Sequence, residues 1–234
     1  MRKALNPRLT SAAEFVRQGA RFADIGTDHA YLPIFLLSEG RISYAVCSDI
    51  NEGPLASAVM NAKEAGLYEK MDFCLTNGAK DLEKYNPCDI AVCGMGGDLI
   101  ATIVEAAPFL KNEDINLILQ PMTKQETLRE KLYLMGYEII SESYSIDAGK
   151  HYVCMQVKYT GNVRDLSNAE KEICPKNTRI VNKDLQIAYL EKKKSTYKKI
   201  VNGKASGGNH EPKELLSIRM IDEYLSEKGE KNDR

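Results

Sequence analysis

Apolar runs and amphipathic stretches alternate along the first two thirds of the chain with the rhythm of an α/β fold. Asn6-Pro7 reads as a helix cap with proline in the first turn, and Leu9, Ala12, Ala13 and Val16 follow at helical spacing until Gly19. Residues 22–25 then form a short apolar strand, and 31–39 a helix closed by Gly40. Further strands fall at 44–48, 71–75, 88–93 and 115–119, with helices at 53–65, 99–107 and 123–135. The pattern predicts five βα units in a row, with strands apolar enough to be buried on both faces.

After Gly136 the rhythm changes. Residues 137–144 and 151–159 are strand-like runs joined by Ile146-Asp147-Ala148-Gly149-Lys150, with no helix between them, so the sheet is expected to end in a β-hairpin. From about Gly161 the chain turns polar and lysine-rich. Ile180, Ile187, Leu190, Tyr197 and Val201 share one face at heptad-like spacing, residues 203–209 read as a glycine-rich turn, and Leu215, Ile218, Ile221 and Leu225 mark a second helix. The expected division is a main domain over 1–160 and a small helical hairpin over 161–234, with a disordered tail after about 228.

Charge sharpens that division. Residues 1–157 hold 15 Lys and Arg against 21 Asp and Glu, while 158–234 hold 17 against 12. A basic segment on an acidic domain points to a polyanionic partner or to a solvated helical face. No run approaches the ~18 apolar residues of a membrane span, and the N-terminus lacks the apolar core of a signal peptide. The six cysteines form no Cys-x-x-Cys pair. The reading is a cytoplasmic protein, monomeric by default, with free thiols and no metal.

The chemistry-bearing residues stand at strand ends. Asp24-Ile25-Gly26-Thr27-Asp28-His29-Ala30 joins the first strand to a helix, as the opening unit of a nucleotide-binding sheet does. Asp28 and Ala30 stand where a dinucleotide fingerprint has further glycines. An acid at that point opposes a pyrophosphate and suits a cationic, non-phosphate end, such as the amino group and sulfonium of S-adenosylmethionine. Asp24 can accept from that amino group. Asp49, ending the second strand beside Ile50, can take a ribose diol, although an acid there serves NAD equally. Asn77 and Gly78 can flank an adenine, or simply make a turn. Gly94-Met95-Gly96-Gly97 reads as a loop that opens the backbone to a ligand. An NAD-dependent oxidoreductase stays open as the alternative, disfavoured by Asp28 and by the terminal hairpin.

Residues 24–33, Gly94-Met95-Gly96-Gly97 and Leu117-Ile118-Leu119-Gln120-Pro121 together resemble the TrmK family, bacterial methyltransferases acting on N1 of adenine 22 in tRNA. The resemblance covers about residues 5–159 and extends in architecture to the helical hairpin. Met122 departs from the family pattern, which has asparagine there. The resemblance implies a class I, Rossmann-like sheet using S-adenosyl-L-methionine, with a coiled-coil-like C-terminal domain that helps hold tRNA. Asp28 matches the family's catalytic aspartate. The implied cofactor set is Asp24, Gly26, Thr27, His29, Asp49, Ile50, Asn77, Gly78, Gly94, Met95 and Gly96. On the substrate side stand Tyr31, Gln120 and Pro121, with Lys192, Lys193, Lys198 and Lys199 tracking phosphates. A methyltransferase with a non-tRNA acceptor is the remaining alternative.

Overall fold

The computed structural model describes residues 4–204 and 213–232, with the backbone alone for 204 and 229–232. In chain order the elements are α1 (Pro7–Glu14), β1 (Ala20–Ile25), α2 (Tyr31–Ser38), β2 (Ile42–Asp49), α3 (Glu52–Glu64), β3 (Met71–Leu75), β4 (Asp89–Gly96), α4 (Gly97–Glu105), β5 (Asn116–Thr123), α5 (Gln125–Leu134), β6 (Tyr137–Asp147), β7 (Lys150–Tyr159), α6 (Asn168–Glu172), β8 (Arg179–Ile180), α7 (Lys183–Lys204) and α8 (Lys213–Asn232). The strands make one sheet in the order β3-β2-β1-β4-β5-β7-β6-β8. The first five are parallel, and β7 runs antiparallel between β5 and β6, so the expected terminal hairpin is present.

Period-2 alternation divides the core. On β1, Phe22 faces a cluster with Phe15, Leu36 and Ala58, while Ala23 and Ile25 face one with Ile100, Leu128 and Leu132. Helices therefore cover both faces, as buried parallel strands require. α1 is capped as its sequence predicts, with Asn6 Oδ1 accepting from Leu9 N at 2.9 Å. Just past its end, Arg17 Nε meets the buried Asp89 Oδ1 at 2.6 Å, anchoring the helix to the start of β4. α1 thus crosses the sheet, and its N-terminal turn reaches the opposite edge.

Four expectations need correction. β3 is followed only by a short 3-10 turn, Glu83–Tyr85, so the third βα unit lacks its helix. Gly94 to Gly97 is not a loop: β4 runs through Gly96 with two register shifts, and α4 starts at Gly97. A Cβ on Gly97 would lie 2.4 Å from the Lys124 carbonyl, so this glycine serves close packing. Ile180 belongs to β8, not to the helical face. The chain after residue 228 continues as α8 to Asn232 rather than becoming a disordered tail. Gly203 lies in α7, and the rest of the expected 203–209 turn, from 205, lies outside the described residues.

The C-terminal segment is packed closely on the sheet. Leu166, Ile173, Tyr189, Leu190 and Ile221 share one apolar cluster with strand residues Tyr144, Val153 and Met155. Under it, Arg129 of α5 and Glu142 of β6, both fully buried, meet at 2.8 Å, and Arg129 Nη1 also donates to the Lys171 carbonyl. Burial works against the Arg129 charge, but Glu142 more than offsets it and holds the guanidinium above its usual range. Glu142→Gln would leave that cation without a counter-charge. It is expected to destabilise the fold by about 3–5 kcal/mol, read as a shift in the urea midpoint.

Candidate active site at the switch point of the sheet

Strand order reverses between β1 and β4, where open α/β sheets leave a crevice at the carboxyl ends of their strands. A cavity of about 550 Å³ occupies that crevice. Its wall begins with the β1–α2 turn. Gly26, Asp28 and Ala30 all adopt positive φ (72°, 50° and 55°), so every second residue is left-handed. That conformation is costly for Asp and Ala, and the surroundings enforce it. Gly26 N and Thr27 N both donate to the Ser48 carbonyl (2.8 and 2.9 Å), and Asn61 Nδ2 donates to the His29 carbonyl at 2.9 Å. Such strain, held by several bonds, is a mark of a functional turn.

The turn brings Thr27 Oγ1 to Asp24 Oδ2 at 2.7 Å. Asp24 is only 5 % exposed. Burial pushes its carboxyl up to about 6, against the Thr27 hydrogen bond, and the Asp49 charge adds to the rise. Asp49, at the end of β2, accepts from Asn51 N through Oδ1 at 2.9 Å, and no hydrogen bond from the described residues reaches Oδ2. Ser48 Oγ borders the same cavity, buried and without a partner. Asp28 points outward with its side chain 65 % exposed, 3.7 Å from His29 Nε2. The His29 and Tyr31 rings stack beside it, centroids 5.2 Å apart.

A cation faces these acids from the other side. Arg8, on the first turn of α1, lines the cavity and donates from Nη1 to Gln120 Oε1 at 2.6 Å. The same oxygen accepts from Gly94 N at 3.0 Å. The fully buried Gln120 thus aims both the guanidinium and the β4 backbone. The cavity lining therefore combines acids and one arginine with an apolar set, Ile50, Leu99 and Ile103, of which Ile103 lies against Gly78.

A family model described as "Methyltransferase domain" matches residues 5–155. Over 148 residues the chain is 36% identical to the tRNA (adenine(22)-N(1))-methyltransferase of Bacillus subtilis, covering 63% of this chain and 62% of that enzyme, less than two thirds of it. Solved structures match over nearly the whole chain. Streptococcus pneumoniae Sp1610 with S-adenosyl-L-methionine is 33% identical with a TM-score of 0.79, covering 93% of this chain and 98% of that one. TrmK of M. capricolum with S-adenosyl-homocysteine is 28% identical with a TM-score of 0.77, covering 97% and 99%. The chain belongs to the TrmK family of methyltransferases.

In this TrmK-family chain the cavity gathers Asp24, Gly26, Thr27, Asp28, His29, Tyr31, Asp49, Ile50, Asn77, Gly78, Gly94 and Met95 from the sequence-derived set. Gly96 is absent from its lining. Gln120 and Pro121 are buried in β5, and Gln120 acts on the cavity only through Arg8 and Gly94. Lys193 turns inward to Glu172 at 2.9 Å and does not present its charge to solvent, whereas Lys192, Lys198 and Lys199 are exposed. Sequence reasoning missed Arg8, Ser48, Leu99 and Ile103. Leu99 and Ile103 carry a signal, an i,i+4 apolar pair just past the glycines; Arg8 carries none, because only the tertiary path of α1 brings it there.

The Asp24 environment yields a test. Its folded value lies above the unfolded one, so folding binds the proton. The resulting stability is complete below about pH 4 and is lost as pH rises through about 6. The ligand-free protein should lose on the order of 3 kcal/mol across that window from this group. Asp24→Asn should flatten that part of the stability-against-pH curve, measured by urea unfolding from pH 4 to 7.

Proposed function

We propose that this chain transfers a methyl group from S-adenosyl-L-methionine to N1 of adenine 22 in tRNA. The observation that carries the reading is the pairing of a buried acid, Asp24, with a second strand-end acid, Asp49, and one aimed arginine. This donor set fits a zwitterionic amino-acid end joined to a ribose. Asp24 would hold the amino group, Arg8 the carboxylate and Asp49 the ribose hydroxyls. The apolar set of Ile50, Leu99 and Ile103, with Asn77 and Gly78, would take the adenine of the cofactor. When bound, the cofactor supplies an electrophilic methyl group on a sulfonium. A dinucleotide fits worse, because Asp28 stands on the turn where a pyrophosphate would need free N–H groups.

Adenine N1 carries its own lone pair, so no residue has to remove a proton before attack in line with the methyl group. The ring becomes cationic as it is methylated. The exposed Asp28 carboxylate is suited to stabilise that charge and to accept from the N6 amino group. The stacked His29 and Tyr31 rings would flank a base extruded from the tRNA fold. Most of the rate would come from holding N1 against the methyl group. Residues 161–232, with their exposed lysines, would form the part that holds tRNA.

Incubation with methyl donor and an unmodified tRNA transcript, followed by nucleoside analysis, should yield 1-methyladenosine; a transcript with guanosine at position 22 should yield none. Asp28→Ala is expected to bind S-adenosylhomocysteine within about threefold of the parent while kcat falls on the order of 100-fold or more. Full turnover in that variant removes Asp28 from the mechanism.

Cofactor binding should also be coupled to pH. The amino group pairs with ionised Asp24, so affinity should rise with pH by up to about tenfold between pH 5 and 7 and then level off. Calorimetry in buffers of different ionisation enthalpy should record proton release on binding near pH 6.

A further inference from the structure

Sheet register places the β6–β7 turn relative to the pocket. Ile25, Val92, Leu119, Met155 and Glu142 stand level across β1, β4, β5, β7 and β6. β6 runs parallel to β5, so its C-terminal end points to the same edge as the cavity. It continues five residues past Glu142 to Asp147, roughly 17 Å beyond the level of Ile25. Pairing of β7 with β5 stops at Leu119–Met155, and β8 pairs only with Ser141 and Glu142. Asn182 closes the open edge at Tyr144, meeting its N at 2.8 Å and its O at 2.7 Å. Beyond Tyr144 the hairpin is a two-stranded ribbon that rises from the same edge of the sheet as the cavity, with β6 three strand spacings, roughly 14 Å, from β4.

The ribbon carries one cation, Lys150, and a second, Lys192, comes from the neighbouring α7. Its two-residue turn, Ala148-Gly149, has φ of 46° and 73°, the doubly left-handed form whose twist matches the flanking strands. Asp147 and Lys150 close the turn, and Lys150 is exposed. Lys192 of α7 lies close to His151; burial and that ammonium together keep the imidazole below its usual range. The neighbouring residues of α7 are already paired, Lys193 with Glu172 and Glu191 with Lys194. Lys150 and Lys192 have no ion-pair partner among the described residues, and Asp147 is the turn's one acid. His151 Nδ1 is buried without a partner. Exposed Ile146 adds an apolar contact at the tip.

We propose that this tip, through Lys150 and Lys192, grips the phosphate backbone of the RNA beside the nucleotide that enters the pocket. The inference rests on the tRNA-methylating function proposed above. A ribbon that rises from the edge of the sheet where the pocket opens can hold the strand that flanks the extruded nucleotide, and its charge reads backbone rather than sequence.

The test uses the full chain with Lys150→Glu, Lys192→Glu, the double variant and Lys150→Arg. Filter binding of an unmodified tRNA transcript across a salt series is measured beside methylation kinetics and S-adenosylhomocysteine affinity. The double variant should raise KM for tRNA about tenfold or more and lower the slope of log K against log salt by about two. kcat and cofactor affinity should be unchanged, and Lys150→Arg should bind as the parent does. Parental KM and salt slope in the double variant would overturn the inference. Binding without turnover by the parent would sink the proposed function alone, since the salt slope still judges the tip. No binding of tRNA by the parent overturns both.

Discussion

The site depends on an acid kept out of water. Asp24 stands near the end of β1 on the face that α1 and α2 cover, and among the described residues its hydrogen-bond donor is the Thr27 hydroxyl. To put that hydroxyl there, the chain must reverse within three residues of the strand, which forces the left-handed backbone at Gly26, Asp28 and Ala30. The same reversal turns Asp28 outward and stacks His29 on Tyr31. A deeply buried carboxylate without a bonded cation favours its neutral form. Arg8 is near enough to lower its pKa but is spent on Gln120. The turn is thus strained and its acid under-compensated, the state that a cationic ligand group would relieve.

Topology explains why these groups converge. The switch between β1 and β4 separates the helices that follow β1 and β4 and leaves a crevice at that edge. The second strand-end acid then falls next to the first, because β2 is the direct neighbour of β1. Gly94 and Met95 come from β4 on the other side, where Met95 lies so close over Gly26 that a Cβ on the glycine would sit 2.1 Å from its terminal methyl. The methyl can move aside, so it is the positive φ of 72° that requires glycine at 26.

Strand-end chemistry was legible because it obeys a local rule. An apolar run followed by Asp, Gly or Asn marks both the strand and the edge it points to, so the sequence already places Asp24, Asp49, Asn77 and Gly78 on the edge where the cavity lies. The parts that were not legible depend on where strands stop. Gln120 reads as a rim residue only if β5 ends at Leu119, but the strand continues to Thr123 and buries it. Gly97 reads as ligand-facing only if β4 ends in a loop. Arg8 sits within a short helix whose sequence shows capping and amphipathicity, and its role arises from the Arg17–Asp89 anchor far down the sheet. Local patterns carry what a residue does to its own backbone; they do not carry which distant element it meets.

The C-terminal lysines make the same point about charge. A basic excess over residues 158–234 suggested a phosphate-tracking surface, yet several of these cations are structural. Lys171 meets Glu130 at 2.6 Å, Lys193 meets Glu172, and Lys194 bridges Glu191 to Asp222 of α8. Ions paired this way have little left to offer a polyanion, and removing them would loosen the packing of the helices before it weakened any binding. The charge available to a partner lies on residues such as Lys192, Lys198 and Lys199, which are exposed on α7. The charge open to a polyanion is therefore set by which lysines the fold leaves over, and Lys192 stands where α7 meets the β6–β7 hairpin.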